Sequence, residues 1–189
     1  KELVGRSVSQ VLEAGVGYVP EDRSTDGIIG TFSVEENLVL DLYRSRDFSR
    51  DGALDLDAIA RNADERIEEF DIRAENRETP VSSLSGGNQQ KVVVAREFSR
   101  PLKVLVASQP TRGVDVGSIE FIHKRIVAER DRGTAVVIVS TELDEIYALS
   151  DRIAVMYDGR VVGVVGPDIP REEIGLLMAG ATVDEGGVA

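Results

Sequence analysis

Ser85, Gly86 and Gly87, followed by Asn88-Gln89-Gln90-Lys91, form the stretch of this chain best equipped for chemistry. They open a run, Gln89 to Ser99, that reads as a helix. The first N–H groups of a helix lack intrahelical partners, and the macrodipole places partial positive charge there. Adjacent glycines let a phosphate come close to that backbone, and a serine hydroxyl adds one more donor. Ordinary helix N-capping uses the same residue types, so the stretch alone admits both readings. No G-x-x-x-x-G-K-[ST] segment occurs in the chain, so the loop that usually cradles β- and γ-phosphates is missing from it.

Composition closes off other chemistries. With no Cys in 189 residues, disulfides and thiolate metal sites are excluded, and a single His leaves almost no scope for His-based metal or triad chemistry. His123 falls in a helical run, Ser118 to Arg130, where a solvated or interface role is expected. The net charge of −12 disfavours nucleic acid and anionic lipid as main partners. No apolar run approaches the ~20 residues that a membrane-spanning helix needs, and no signal-peptide pattern is read at the start. Apolar residues at 42% and charged ones at 30% fit one globular domain, or a domain with a small subdomain.

The elements that must position these residues follow from periodicity and caps. Ser7 and Gln10 have capping-box spacing ahead of a short helix, Val8 to Ala14, which Gly15 ends. Val16 to Val19 reads as a buried strand stopped by Pro20, and Glu21 to Thr31 as a loop. Ser33 caps a helix predicted from Val34 to Tyr43, with Glu35 and Glu36 favouring its dipole. Arg44 to Leu56 reads as a mobile connection, and Asp57 to Phe70 as a helix with Ile59, Ala63, Ile67 and Phe70 on one face. Beyond the Ser85 helix, the β-branched runs Lys103–Ala107, Ala135–Val139 and Arg152–Tyr157 alternate with helical stretches Ser118–Arg130 and Glu142–Leu149. That alternation predicts a parallel sheet covered on both faces. Asp158-Gly159 signals a hairpin into Arg160–Val165, Arg171 to Ala179 a last helix, and Val183 to Ala189 a frayed end.

The whole stretch from Pro80 to Pro101, with Leu84-Ser-Gly-Gly-Asn-Gln-Gln-Lys91 at its centre, resembles the signature motif of ABC transporter ATPases. Its Asn-Gln-Gln ending is similar to that of the double-length ATPases of simple-sugar and nucleoside importers. Gly17–Arg23, Gln109–Gly117, Val139–Glu145, Ser150–Ile153 and Ile174–Gly180 agree in the family's order, so the likeness covers nearly the full chain. It implies the second ATPase half of such a subunit, beginning after the Walker A segment. The implied fold is α/β, a RecA-like P-loop NTPase lobe over 1–31 and 100–189, with an all-helical signature subdomain inserted over 32–99.

The resemblance also assigns roles. Ser85, Gly86, Gly87 and Gln89 would face the γ-phosphate of ATP held by a partner ATPase half. Asp115 matches the D-loop that crosses between halves, although helix N-capping explains it equally. Ser108 and Gln109 stand where the Walker B strand ends in Asp-Glu. A hydroxyl cannot supply the charge that organises Mg²⁺, and a glutamine cannot serve as a base near neutral pH. Thr141 takes the place of the switch histidine and also suits the N-cap of the next helix, while Glu21 takes that of the Q-loop glutamine. The expected chain is therefore an intact signature donor with a degenerate site of its own. It would need ATP and Mg²⁺ only in the full-length ATPase and be inactive alone. Its implied place is the cytoplasmic face of the membrane, coupled to transmembrane permease subunits for import of a nucleoside or simple sugar. The runner-up is a non-catalytic docking module for those permeases. Phe32, Leu38 and Leu42 could serve core or docking surface. The strand leading into the missing loop would lie between Ala135–Val139 and Arg152–Tyr157. Its absence predicts two unpaired edges, with the gap collapsed or filled by a second copy.

Overall fold

Short polar side chains start most helices at the positions the sequence marks. In the computed structural model, which describes residues 2–180, Ser7 and Gln10 cap α1 (Val8–Glu13) reciprocally, and β1 (Val16–Val19) follows. Asp22 accepts hydrogen bonds from the N–H groups of Ser24 and Thr25 and closes a π-helical turn over Arg23–Gly27, inside the predicted loop. Ser33 and Glu36 form a second capping box at α2 (Val34–Leu38). This helix stops well short of Tyr43. Val39 leaves helical geometry at φ −115° and is buried with Phe48 and Ile59 in a small satellite core, against which Leu42 packs.

The 44–56 connection is ordered differently from expectation. β2 (Ser49–Arg50) and β3 (Ala53–Leu54) pair antiparallel across Asp51-Gly52, whose φ angles of 52° and 83° suit a tight hairpin turn. The 32–99 segment is thus not all helical. α3 (Leu56–Glu69), capped by Asp55, and α4 (Gly86–Phe98), capped by Ser85, supply the rest of its regular structure with a 3-10 turn at Val81–Ser83.

β4 (Val104–Ser108), α5 (Val116–Asp131) and β5 (Ala135–Val139) complete the first of two compact units, residues 1–139. Its sheet is parallel in the order β1-β4-β5, with Val19, Ala107 and Ile138 in one cross-strand row and Tyr18, Val106 and Val137 in the next. One face carries the core. Val19, Leu105 and Ala107 are buried there with Val92–Ala95 of α4 and Ile122 and Ile126 of α5. The other face departs from the predicted two-sided cover: Tyr18, Val137 and Val139 are 52%, 51% and 53% exposed. α4 and α5 both belong to the same core cluster, so they cover one face only. Leu38 is fully buried in that core, whereas Phe32 is 39% exposed.

The second unit, residues 140–189, holds α6 (Leu143–Leu149), the antiparallel pair β6 (Ile153–Tyr157) and β7 (Arg160–Val165), and α7 (Arg171–Met178). Asp158-Gly159 makes the predicted hairpin turn, with φ 46° and 72°. The N-cap of α6 is Glu142 rather than Thr141, and Ser140 Oγ accepts the Glu142 N–H at 3.0 Å. Ser140 supplies that acceptor through a two-residue reach, which leaves Thr141 outside the cap. Among the described residues β5 pairs only with β4, and β6 only with β7. The fraying expected for 183–189 lies outside the described residues.

Candidate phosphate-facing site at the head of α4

α4 is fastened along its length by long-range bonds, and this fixes where its first turn points. Gln90 donates to the Pro110 carbonyl at 2.8 Å, and Arg96 to the Gly27 carbonyl at 2.8 Å. Lys91, almost fully buried, donates to the Asp71 carbonyl (2.7 Å) and carboxylate (2.8 Å), with its ammonium 4.8 Å from the centre of the Phe121 ring. The hydrogen bond and charge of Lys91 hold the Asp71 carboxyl below its ordinary range.

At the head of the helix, Ser85 Oγ accepts the Asn88 N–H at 3.4 Å and the Asn88 side-chain amide N–H at 3.0 Å. Asn88 Oδ1 in turn accepts the Arg73 backbone N–H at 2.8 Å. Gln89 is turned back on its own loop, donating to the Val81 and Leu84 carbonyls at 3.3 and 3.1 Å. The two glycines permit close packing by protein neighbours. A Cβ at Gly86 would stand 2.5 Å from Arg23 Nη2, and one at Gly87 2.3 Å from Ser118 Oγ and 2.5 Å from Asp115 Oδ2.

Asp115 caps α5, accepting the Ser118 N–H at 3.0 Å and the Ser118 hydroxyl at 2.8 Å. The Ser118 hydroxyl, then its N–H, hold the Asp115 carboxyl below the usual carboxylate range. Together Ser85, Asn88, Lys91, Asp71, Arg73 and Asp115 border a cleft of about 290 Å³. It offers a helix N-terminus, a hydroxyl and an exposed guanidinium, which are donors that fit a phosphate oxygen.

A second latch joins the loops after β1 and β4. Arg23 donates to the Arg112 and Gly113 carbonyls at 2.8 and 3.3 Å, and Arg112 pairs with Glu21 at 2.5 Å. Both partners of the Glu21 pair are more than half exposed, so it orients more than it stabilises.

Ser108 ends β4 in register with Val139. Gln109 follows at φ 49°, its N–H bonded to the Val139 carbonyl at 2.7 Å. A left-handed glutamine costs roughly 1 kcal/mol. Neutral side chains at both positions do not fit Mg²⁺, which is usually held through one or two carboxylates. Among the described residues no group of three or more His, Cys, Asp or Glu could hold a metal ion. Thr141 lies in the second compact unit.

The structure therefore brings Ser85, Gly86, Gly87 and Asp115 together, with Glu21 on the Arg23–Arg112 latch. Arg23 and Asn88, which lie in stretches read from the sequence without a role of their own, join them, as do Asp71 and Arg73, which the sequence does not single out. The 71–91 and 23–112 pairings are long range and leave no local pattern. Asn88, at the third position of its helix, is the one a capping argument could have found.

A glycine-led helix start beside a parallel α/β sheet is consistent with the P-loop ATPase fold. The ABC transporter family model matches residues 2–112, and the chain belongs to that family. It is 46% identical over 186 residues to the nucleoside import ATP-binding protein NupA of Lactococcus lactis subsp. cremoris, covering 98% of this chain and 37% of that protein. Identity to the guanosine import ATP-binding protein NupO of Bacillus subtilis is 42% over 190 residues, covering 100% and 37%. The ribose import ATP-binding protein RbsA of Chromobacterium violaceum is 41% identical over 182 residues, at 96% and 36% coverage. The chain spans little more than a third of these relatives. The dimeric post-hydrolysis structure of the ATP-binding cassette MJ0796 with ADP and Pi superposes with a TM-score of 0.69 at 22% identity, over 86% of this chain and 68% of that one, and bears on the fold. No helix among the described residues is long and apolar enough to cross a membrane.

Proposed function

We propose that this chain is part of an ABC importer ATPase whose working contribution is its signature. Ser85, Gly86 and Gly87 approach the γ-phosphate of ATP held by a partner ATPase half, and Asp115 lines the same junction. The observation that carries this reading is the contrast between two places in one unit. The head of α4 presents an exposed hydroxyl and helix N-terminus on a cleft, whereas β4 ends in Ser108 and Gln109, neither of which can carry charge or take a proton. The chain's own nucleotide position is degenerate, with Thr141 in place of a histidine and the Glu21 carboxylate engaged by Arg112.

ATP and Mg²⁺ serve the complete protein. When bound, they supply the phosphoanhydride and its charge neutralisation; this chain supplies donors from the α4 head and the Asp115 cap that shapes their setting. The uncovered row Tyr18–Val106–Val137 fits a domain completed by further polypeptide of the whole protein, including its phosphate-binding loop. Residues 1–31 and 100–189 then belong to the α/β core and 32–99 to the signature subdomain. Relatives named for nucleoside, guanosine and ribose import support a nucleoside or simple sugar as the cargo, with permease subunits as partners at the cytoplasmic face.

Steady-state ATPase rates of the complete protein with its permeases test this. Ser85→Arg should remove most turnover, about 10²-fold or more for loss of a preorganised donor, while Gln109→Ala should change it little. Equal losses from the two would place the working site in this half and overturn the reading.

A further inference from the structure

Asn88 fixes which way the Ser85 hydroxyl points, and its own orientation is settled by a neighbour. The Arg73 backbone N–H is an obligatory donor, and the side-chain atom 2.8 Å from it must be the carbonyl oxygen of Asn88. The amide nitrogen is thereby turned to Ser85 Oγ, 3.0 Å away, where it can only donate. The Asn88 backbone N–H donates to the same oxygen at 3.4 Å. A serine hydroxyl has two acceptor positions and one hydrogen. Both acceptor positions are taken, so the hydrogen is left for the cleft that Ser85 and Asn88 border.

From this geometry we infer that Asn88 is a positioning residue that commits Ser85 to act as a hydrogen-bond donor toward a phosphate oxygen. The inference rests on the proposed role of Ser85 at the partner's ATP. Asparagine is suited to the task because its two ends differ: an acceptor for Arg73 and a donor for Ser85. An aspartate of the same shape would still accept from Arg73. Toward Ser85 it could only accept, so the hydroxyl would rotate, spend its hydrogen on residue 88 and present lone pairs to the anion.

The experiment is a double-mutant cycle on ATPase turnover of the complete protein with its permeases, using Ser85→Ala, Asn88→Asp and the pair. Ser85→Ala is expected to lower kcat about 10²-fold, and Asn88→Asp to lower it comparably, with the KM for ATP unchanged in both. In the Ser85→Ala background, Asn88→Asp should cost less than about tenfold more, because residues acting through one another are not additive. Asn88→Ala, which adds no charge and leaves the backbone N–H on Ser85, should lose less than Asn88→Asp. An Asn88→Asp protein that retains wild-type kcat overturns the inference. So does one that loses as much in the Ser85→Ala background as outside it, or an Asn88→Ala loss equal to that of Asn88→Asp. A fully active Ser85→Ala protein is a different failure: it removes the proposed role of Ser85, and this inference with it.

Discussion

The α-carbon of Gly87 packs directly on Ser118, so closely that a methyl group on it would stand 2.3 Å from the Ser118 oxygen. Ser118 is tied to Asp115 by two hydrogen bonds and has little room to move. The heads of α4 and α5 are thereby set against each other, and the two segments that resemble the signature and the D-loop become one rigid corner. Gly87→Ala should break the Asp115 cap and destabilise the fold by about 1–3 kcal/mol, the range for overpacking a filled site. Gly175 offers the opposite case: it sits inside α7, where a methyl group would meet nothing within 4 Å. Gly175→Ala should stabilise by roughly 0.5–1 kcal/mol through helix propensity alone. Urea unfolding of the two variants beside wild type checks both signs.

The pair of Lys91 and Asp71 predicts an acid-sensitive contribution to stability. The folded Asp71 carboxyl lies below its unfolded value, near 3.9. Its contribution is therefore complete above that value and is lost as pH falls through the lower, folded one. Asp71→Asn should be less stable than wild type by an amount that stays constant above about pH 5 and shrinks below about pH 4. Its side chain is 58% exposed, so the difference will be modest. Chemical denaturation at a series of pH values measures it. A gap that widened on acidification would show that Asp71 is not ionised by Lys91.

Two turns carry a third prediction. Asp51-Gly52 and Asp158-Gly159 share positive φ at both residues, and a methyl group on either glycine would meet nothing within 4 Å. Gly52→Ala and Gly159→Ala should each cost about 1–2 kcal/mol purely from left-handed backbone. Thermal unfolding is the measurement, and a cost below a few tenths would mean the turns relax.

Those turns also show what was legible. Asp158-Gly159 between two apolar runs reads as a hairpin, and is one. Asp51-Gly52 carries the same signal, but Ser49–Arg50 and Ala53–Leu54 are too short and polar to show alternation, so the hairpin is hidden in a segment that reads as connection. Strands β1, β4, β5, β6 and β7 stand within a residue or two of expectation, because short β-branched apolar runs announce themselves whether or not both faces are covered. Caps at Ser7, Ser33 and Asp115 are equally local. The end of α2 is not: Val39 leaves the helix to pack with Phe48 and Ile59, a choice made by residues 9 and 20 positions away. At the site, the types and spacing of Ser85, Gly86 and Gly87 are visible in the sequence. That Gly87 faces Ser118, that Gln89 folds back on Val81 and Leu84, and that Arg23 grips the Arg112–Gly113 carbonyls depend on contacts 5 to 90 residues apart.

The 189-residue chain by itself should neither hydrolyse nor usefully bind ATP, given Ser108 and Gln109 at the end of β4 and no phosphate-cradling loop in its sequence. Calorimetric titration with Mg-ATP should stay flat into the millimolar range, where binding is worth only about 4 kcal/mol. A micromolar dissociation constant would contradict the degenerate reading of this chain.

The central proposal, that this chain completes a nucleotide site held elsewhere, is tested most directly by vanadate trapping in the complete protein with its permeases. Trapped ADP should reach one per pair of ATPase halves and fall to background with Ser85→Arg, while Gln109→Ala leaves it unchanged. Two trapped nucleotides per pair, with one lost on Gln109→Ala and retained with Ser85→Arg, would contradict it.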